Sequence, residues 1–359
     1  MELLRRLFGR SQEADKWLLR FSTARCQTSP LYRFLSQGAA RDRDVLKIAA
    51  CAPKGQPMPP LFLGAVHYLL TANPDHPLSA YYPDLTPNPK PAEESWPHFR
   101  DFCLKNQAPI RKLMETRLVQ TNEVRRCAVL VPGFALISAA EQGRPLSLVE
   151  VGASMGLNLL WDKYRFEYKS DTGETVAAVG ASDSRPVIAC TVRGAKPIPK
   201  PEVNPSISSR LGVDLNILDA SSEEDRRWLL ALIWPEHHER RKMIEDAFAV
   251  ASAGPLKVVK RDMLDVIPEV VSSASARDVI CIFHSFTFNQ IPGSVRNQFE
   301  SMLADLSKTR RLYRMALESV MDKPTLRIER YEAGSKQTWD IAETEVHAHW
   351  IKLLGVNQL

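Results

Sequence analysis

The stretch "LVEVGASMGLNLL", Leu148 to Leu160, decides how the chain is read. An apolar run ends in an acid and then in small residues. As G-x-S-x-G (Gly152, Ser154, Gly156) it is the nucleophile elbow of a hydrolase, with Ser154 attacking. As E-x-G-x-x-x-G (Glu150, Gly152, Gly156) it is a glycine-rich turn between a strand and a helix, able to hold a nucleotide-like ligand. The choice is whether Ser154 is a nucleophile or takes the place of a glycine.

A hydrolase elbow needs earlier strands, an oxyanion donor from an earlier loop, and then an acid and a histidine. "CAVLVPGF", from Cys127, passes for a strand leading to an oxyanion loop. Only about 20 residues separate Gly133 from Gly152, too few for the intervening strands and helices. Downstream, His284, His347 and His349 are available with Asp262 or Asp278, and no spacing selects among them. The ligand-turn reading uses more residues. A helix N-terminus offers unpaired N–H groups and partial positive charge. Gly152 and Gly156 permit close backbone approach, and Ser154 is small enough to sit where a middle glycine sits. Glu150 can accept hydrogen bonds from the turn or from a ligand's ammonium group. No Gly-Lys-Ser/Thr follows, which excludes a P-loop. Ser154 and Leu157 stand where a dinucleotide fingerprint has glycines. The bland alternative is a tight connection that holds nothing.

The 359 residues suffice for one large domain or two ordinary ones, and 44% hydrophobic with 25% charged content sustains a sizeable core. A net charge of +5 admits anionic ligands. No Arg/Lys cluster interleaves with aromatics, so no nucleic-acid partner is expected. The six cysteines are scattered without a C-x-x-C pair. That pattern points to reduced thiols in a cytoplasmic protein, and away from a disulfide framework or zinc finger. The first residues, "MELLRRLFGRSQEADK", lack the apolar core of a secretory leader. The longest apolar run, "CAVLVPGFALISAA", is too short for a membrane span and is broken by Pro132 and Gly133.

Residues 1–120 read as helical. "EADKWLLRFSTARC", "SPLYRFLSQGAA", "PPLFLGAVHYLLT" and "FRDFCLKNQAPIRKLMETRLVQT" repeat apolar residues at three- and four-residue intervals. The proline-dense "NPDHPLSAYYPDLTPNPKPAEESWP" between the last two predicts a long surface loop. From residue 121 to 359, β-rich runs alternate with helical patterns, the signature of an α/β sheet. "LSLVEVG" is a strand opening on the turn, and "LNLLWDKYRF" continues as a helix. "RFEYKSDTGETVAAVG" is a hairpin turning at Asp171-Thr172-Gly173, and "VIACTVRG" is another strand. "SSEEDRRWLLALIWPEHHERRKMIEDAFAVA" is helical with a break at Pro235. "LKVVKRDML", "DVICIFHSF" and "RLYRMALES" are strands, and "TLRIERYEAGSKQTWDIAET" is a closing antiparallel pair followed by "VHAHWIKLL".

Three further groups carry polar chemistry. In "QTNE", Thr121 or Asn122 caps a helix with Glu123 in its first turn, or Gln120, Asn122 and Glu123 line a pocket. His284, Ser285 and Asn289 follow an apolar strand, and strand ends of α/β sheets are where ligands bind. His284 there is either a general base or a histidine hydrogen-bonded within its loop. His347 and His349 share one strand face with no third ligand, so no metal site is expected.

"LVEVGASMGLN" resembles motif I of class I S-adenosylmethionine-dependent methyltransferases, E/D-x-G-x-G-x-G. "VVKRDMLDVIP" looks like that fold's third-strand segment, "DVICIFHSFTFNQIP" like its fourth strand and loop, and "LYRMALES" like its fifth. The chain as a whole resembles a bacterial family of unknown function assigned to this fold, through "RLVQTNEVRRCAVLVPGFALI", "LVEVGASMGLNLLWDKYRFEY", "GVDLNILD" with "EEDRRWLLALIWPEH", and "IFHSFTFNQ". The resemblance implies a doubly wound, Rossmann-like methyltransferase-type sheet, a helical N-terminal cap over 1–120, and an insertion around 171–247. It implies S-adenosylmethionine as cofactor, held by Glu150, Gly152, Ala153, Ser154, Gly156 and Asn158, with Asp262 and Met263 at the adenine. A small-molecule acceptor would lie against Gln120, Asn122, Glu123, Ser285 and Asn289, with His284 as base. The ribose-binding acid is not identified among Glu167, Asp171 and Asp183. The rivals are an inactive binding protein of the same fold, a serine hydrolase using Ser154, and the same fold with another nucleotide.

Overall fold

The computed structural model describes residues 2–199, 205–254, 256–321, 323–356 and 358–359, with side chains from residue 13 onward. The chain divides into two compact units, residues 1–121 with 223–242, and residues 122–222 with 243–359.

The first unit is helical: α1 (Glu2–Ala24), α2 (Pro30–Arg41), α3 (Arg43–Ala49), α4 (Met58–Thr71), α5 (Trp96–Lys105), α6 (Gln107–Thr116), α8 (Glu223–Ala231) and the start of α9 (His238–Ser252). Capping fixes its early turns. Ser29 accepts the Tyr32 N–H at the start of α2, and Asp42 accepts those of Asp44 and Val45 at the start of α3. The run expected as one helix from residue 99 is two, because Asn106 closes α5 with its amide on the Phe102 carbonyl. The proline-dense segment corrects another expectation. It holds only short 3₁₀ turns, Pro77–Tyr81 and Ala92–Glu94, yet Leu78, Tyr81 and Tyr82 are buried. Proline forbids regular helix there, but the aromatic rings still fill the core, Tyr82 against Tyr32 and His67.

The second unit is built on an eleven-stranded, mostly parallel sheet: β1 (Leu146–Val151), β2 (Arg165–Lys169), β3 (Thr175–Val179), β4 (Val187–Val192), β5 (Ile207–Asp214), β6 (Val258–Lys260), β7 (Val279–Ser285), β8 (Leu312–Val320), β9 (Lys323–Glu332), β10 (Ser335–Thr344) and β11 (Trp350–Leu353). The order is β3-β2-β4-β11-β10-β9-β8-β7-β1-β5-β6. β6, β5, β1, β7 and β8 run parallel to one another, and β9 and β10 return antiparallel. Once β2, β3 and β4 have formed at the far edge, the chain places β5 and β6 on one side of β1 and returns at β7 on the other, so strand order reverses beside β1. Ligands of open α/β sheets bind at the carboxyl ends of strands at such a point.

Side-chain alternation sorts the strand residues to two faces. Val149, Val151, Val213, Ile280 and Ile282 form a core with Val266 and Ile267 of α10 (Met263–Ser273) and Phe299 and Leu303 of α11 (Gly293–Leu306). The opposite face receives α7 (Cys127–Ala140), where Phe134 packs edge-on against Phe283 and stacks on Trp161. "CAVLVPGF" is therefore helix, not strand. Its residues are buried all round, so no amphipathic period marks it, and Gly133 lets Met315 Sδ approach where a Cβ would stand only 2.3 Å away.

β5 carries no apolar signal in "ISSRLGVD" because its polar groups are paired inside the sheet. Ser209 bonds Ser147 at 2.7 Å, and Arg210 holds Asp162 through two 2.8 Å bonds. The hairpin of β2 and β3 turns through Gly173 at φ +85°. Between the glycine turn and Asp262 the chain also forms β2, β3 and β4, which extend the sheet beyond β11, and contributes residues 223–242 to the first unit.

Candidate functional site

β1 ends in Glu150 and Val151, and the backbone then turns through Gly152 (φ +73°), Ser154 (φ +54°) and Gly156 (φ +79°). Ser154 thus holds the left-handed conformation that glycine adopts freely and other residues pay for, so it occupies a glycine's place in the turn. Its hydroxyl is buried and has no hydrogen-bond partner, so no histidine activates it.

The element after the turn is a seven-residue 3₁₀ helix, Leu157–Lys163, not the expected α-helix. It is too short for a macrodipole of consequence. Five of the turn's N–H groups are also committed within the protein. Those of Gly152 and Ala153 go to the Val213 carbonyl, that of Gly156 to Ala153, and that of Leu157 to the Asn122 side-chain oxygen. The Ser154 N–H goes to Asp214 Oδ2 at 2.8 Å. Such a turn offers no open cradle for phosphate, which weighs against a phosphate-anchored nucleotide.

Asp214 is the residue that sequence reasoning missed. It ends β5, the direct neighbour of β1, and its carboxylate also accepts the Asn216 N–H at 2.9 Å. A carboxylate has about four acceptor positions, so two bonds leave capacity for a ligand. Glu167, Asp171 and Asp183 lie in or near the β2–β3 hairpin at the far edge of the sheet. The signal was present in "GVDLNILD", but a strand too polar to be recognised hid its position.

Glu150 is buried on the α7 face. Asn158 Nδ2 donates to its Oε1 at 3.2 Å, and its Oε2 has no partner. Burial pushes its carboxyl well above the usual carboxylate range, and the charge of Asp214 adds to the effect. Cys127 Sγ donates to Asn158 Oδ1, and burial pushes that thiol up as well. Asn122, expected as a possible cap, instead ties the entry of α7 to the turn. Glu123 is buried beside it and meets His347 Nδ1 at 3.2 Å. Arg126 donates to the Ser285 carbonyl and hydroxyl and to the Val346 carbonyl, and stacks on Phe286. His347 and His349 lie in a turn before β11, not on a strand, and Glu345 binds the N–H groups of both. Among the described residues no group of three metal-ligating side chains assembles.

His284 does not stand with these groups. By alternation it lies on the α11 face, fully buried and stacked on Phe288. Arg314 Nε donates to its Nε2 at 3.0 Å, so its Nδ1 carries the proton that Glu318 Oε1 accepts at 2.7 Å. Burial holds the imidazole below its ordinary range despite the opposing pull of Glu318. Burial also pushes the Glu318 carboxyl up, but His284 and the Phe288 and Thr287 N–H groups outweigh that and leave it below the ordinary range. With both ring nitrogens engaged in the core, His284 has no access to a substrate proton, which corrects its reading as a general base. Arg314 is neutralised by Glu300 and Glu329.

Of the remaining expected residues, Ala153 is buried against Gly212, and Met263 is part of the α10-face core. Asp262 is exposed two residues beyond β6 and caps α10 through the Leu264 N–H. Ser285 ends β7, Asn289 is exposed in the 3₁₀ turn Phe288–Gln290, and Gln120 belongs to the first unit.

These features define a class: a mixed α/β protein whose acids gather at the carboxyl ends of adjacent parallel strands around a glycine turn. The chain belongs to DUF2332, a family described as uncharacterized protein conserved in bacteria, whose model matches residues 15–353. No curated protein and no solved structure matches it. Among the described residues, no helix is long and apolar enough to cross a membrane.

Proposed function

We propose that the second unit binds S-adenosylmethionine and directs its methyl group to a small-molecule acceptor. The observation that carries this reading is the placement of Asp214 at the end of β5, bonded to the turn that ends β1, with Asp262 just beyond β6, the next strand. Vicinal hydroxyls suit the remaining acceptor positions of Asp214. The exposed Asp262 suits an adenine amino group, and the exposed apolar Leu215 offers a surface for the ring. The unpartnered oxygen of Glu150 suits an ammonium group. A turn without a phosphate cradle agrees with a cofactor that has no phosphate.

When bound, the cofactor supplies a methyl group activated by its sulfonium. The chain then needs chiefly to align an acceptor and exclude water. On the α7 face, Glu123 holds Nδ1 of the half-exposed His347 and leaves Nε2 as the proton acceptor available there.

The space over Gly152 favours a second reading, a nucleoside-binding protein without transfer. A Cβ at Gly152 would lie 2.3 Å from Thr287 Oγ1, so the protein's own side chain fills the approach expected of the methionine part. Calorimetric titration with S-adenosylmethionine and S-adenosylhomocysteine tests the proposal. Micromolar binding lost in Asp214→Ala and Asp262→Ala but kept in Ser154→Ala supports it. No heat at millimolar ligand sinks it.

A further inference from the structure

The side chain over Gly152 is held by a dedicated device. Glu318 Oε1 accepts the N–H groups of Thr287 (2.8 Å) and Phe288 (3.1 Å) together with the His284 ring N–H. Phe286 adopts φ +52°, a conformation disfavoured for a bulky residue, and its ring is covered by the Arg126 guanidinium at 4.3 Å. Between these anchors Thr287 directs Oγ1 to the Val151 carbonyl at 3.3 Å, with Cγ2 2.5 Å from where a Gly152 Cβ would stand. Asp214, by contrast, is partly exposed and Asp262 is exposed.

We infer that Thr287 is a specificity-determining residue that closes the amino-acid half of the site and leaves the adenosine half open. The inference rests on the adenosine-site reading above. Thr287 then sets the affinity for S-adenosylmethionine, whose methionine arm must displace it, whereas adenosine and its small 5′-substituted derivatives bind without that displacement. Glu318 is the positioning residue for that side chain, and His284 and Arg314 act through it.

The test is calorimetric titration of the full chain with adenosine and with S-adenosylmethionine, in wild type, Thr287→Ala and Thr287→Val. Both variants lose the Oγ1 bond, but valine keeps the bulk and alanine removes it. The expected result is an S-adenosylmethionine affinity raised about tenfold in Thr287→Ala alone, with adenosine binding unchanged in all three. Equal S-adenosylmethionine affinity across the three, or the same gain in both variants, overturns the steric role and leaves the adenosine site standing. Absence of adenosine binding in every form removes the site and the specificity role with it. Unchanged circular dichroism across the three proteins verifies that folded states are being compared.

Discussion

Gly152→Ala tests the packing of the turn without any ligand. At φ +73° an alanine loses about 1 kcal/mol relative to glycine. Its Cβ would meet Thr287 Oγ1 at 2.3 Å, Cγ2 at 2.5 Å and Cβ at 2.9 Å, so Thr287 must move. Moving it breaks the bond to the Val151 carbonyl, about 1 kcal/mol. Overpacking of the surrounding turn adds about 1–3 kcal/mol. The expected loss is therefore about 3–5 kcal/mol. Thr287→Ala alone costs about 1–2 kcal/mol through the lost bond and the vacated volume. In the double variant the clash with Oγ1 and Cγ2 is gone. Its destabilisation should then fall about 2 kcal/mol short of the sum of the singles. Urea unfolding of the four proteins, compared at constant slope, measures the coupling. Singles that add within about 0.5 kcal/mol would refute the contact on which the specificity argument depends.

Ser154→Gly should stabilise the protein by about 1–2 kcal/mol, because it relieves a left-handed serine and removes a buried unpaired hydroxyl; a lower urea midpoint would show that the hydroxyl has a partner. Wild type should also stay unlabelled by a fluorophosphonate, since no base activates Ser154. Glu150→Gln should stabilise by about 1–3 kcal/mol at pH 8. The folded carboxyl is raised by burial, so its stability contribution is present in acid and lost as pH rises past the unfolded value, and the difference between the proteins should vanish near pH 4. His284 behaves in the opposite sense. Its folded value is depressed, so its contribution is present above the unfolded value of about 6.5 and is lost as pH falls below it. The wild-type unfolding free energy from urea titration should decline there with a slope of up to about 1.4 kcal/mol per pH unit beyond that of His284→Gln.

Much of the second unit was legible because its strands are apolar and end in polar residues. β1, β7 and β8 follow that rule, and the hairpin of β2 and β3 is announced by Asp171-Thr172-Gly173. α7 was not legible, since a helix buried on every side has lost the period that distinguishes it from a strand. β5 was hidden for the converse reason: Ser209 and Arg210 find their partners only once β1 and Asp162 are beside them. With β5 went Asp214, the acid that gives the turn its neighbour. The placement of His284 also depended on tertiary structure. Its position at a strand end suggested chemistry, but only the pairing of β7 with β8 brings Glu318 and Arg314 to its two ring nitrogens. The small size of Ser154 admits it to a glycine's place without deciding for it, and the φ of +54° is what favours that reading over the nucleophile.

The most direct measurement is hydrogen exchange of the full chain, followed by mass spectrometry, with and without S-adenosylhomocysteine at millimolar concentration. Slower exchange in the peptides spanning residues 150–158, 212–218 and 260–264 is the expected result, since these carry the turn, Asp214 and Asp262. No slowing anywhere, or slowing confined to strands remote from the turn such as β10, would contradict an adenosine-cofactor site at the end of β1.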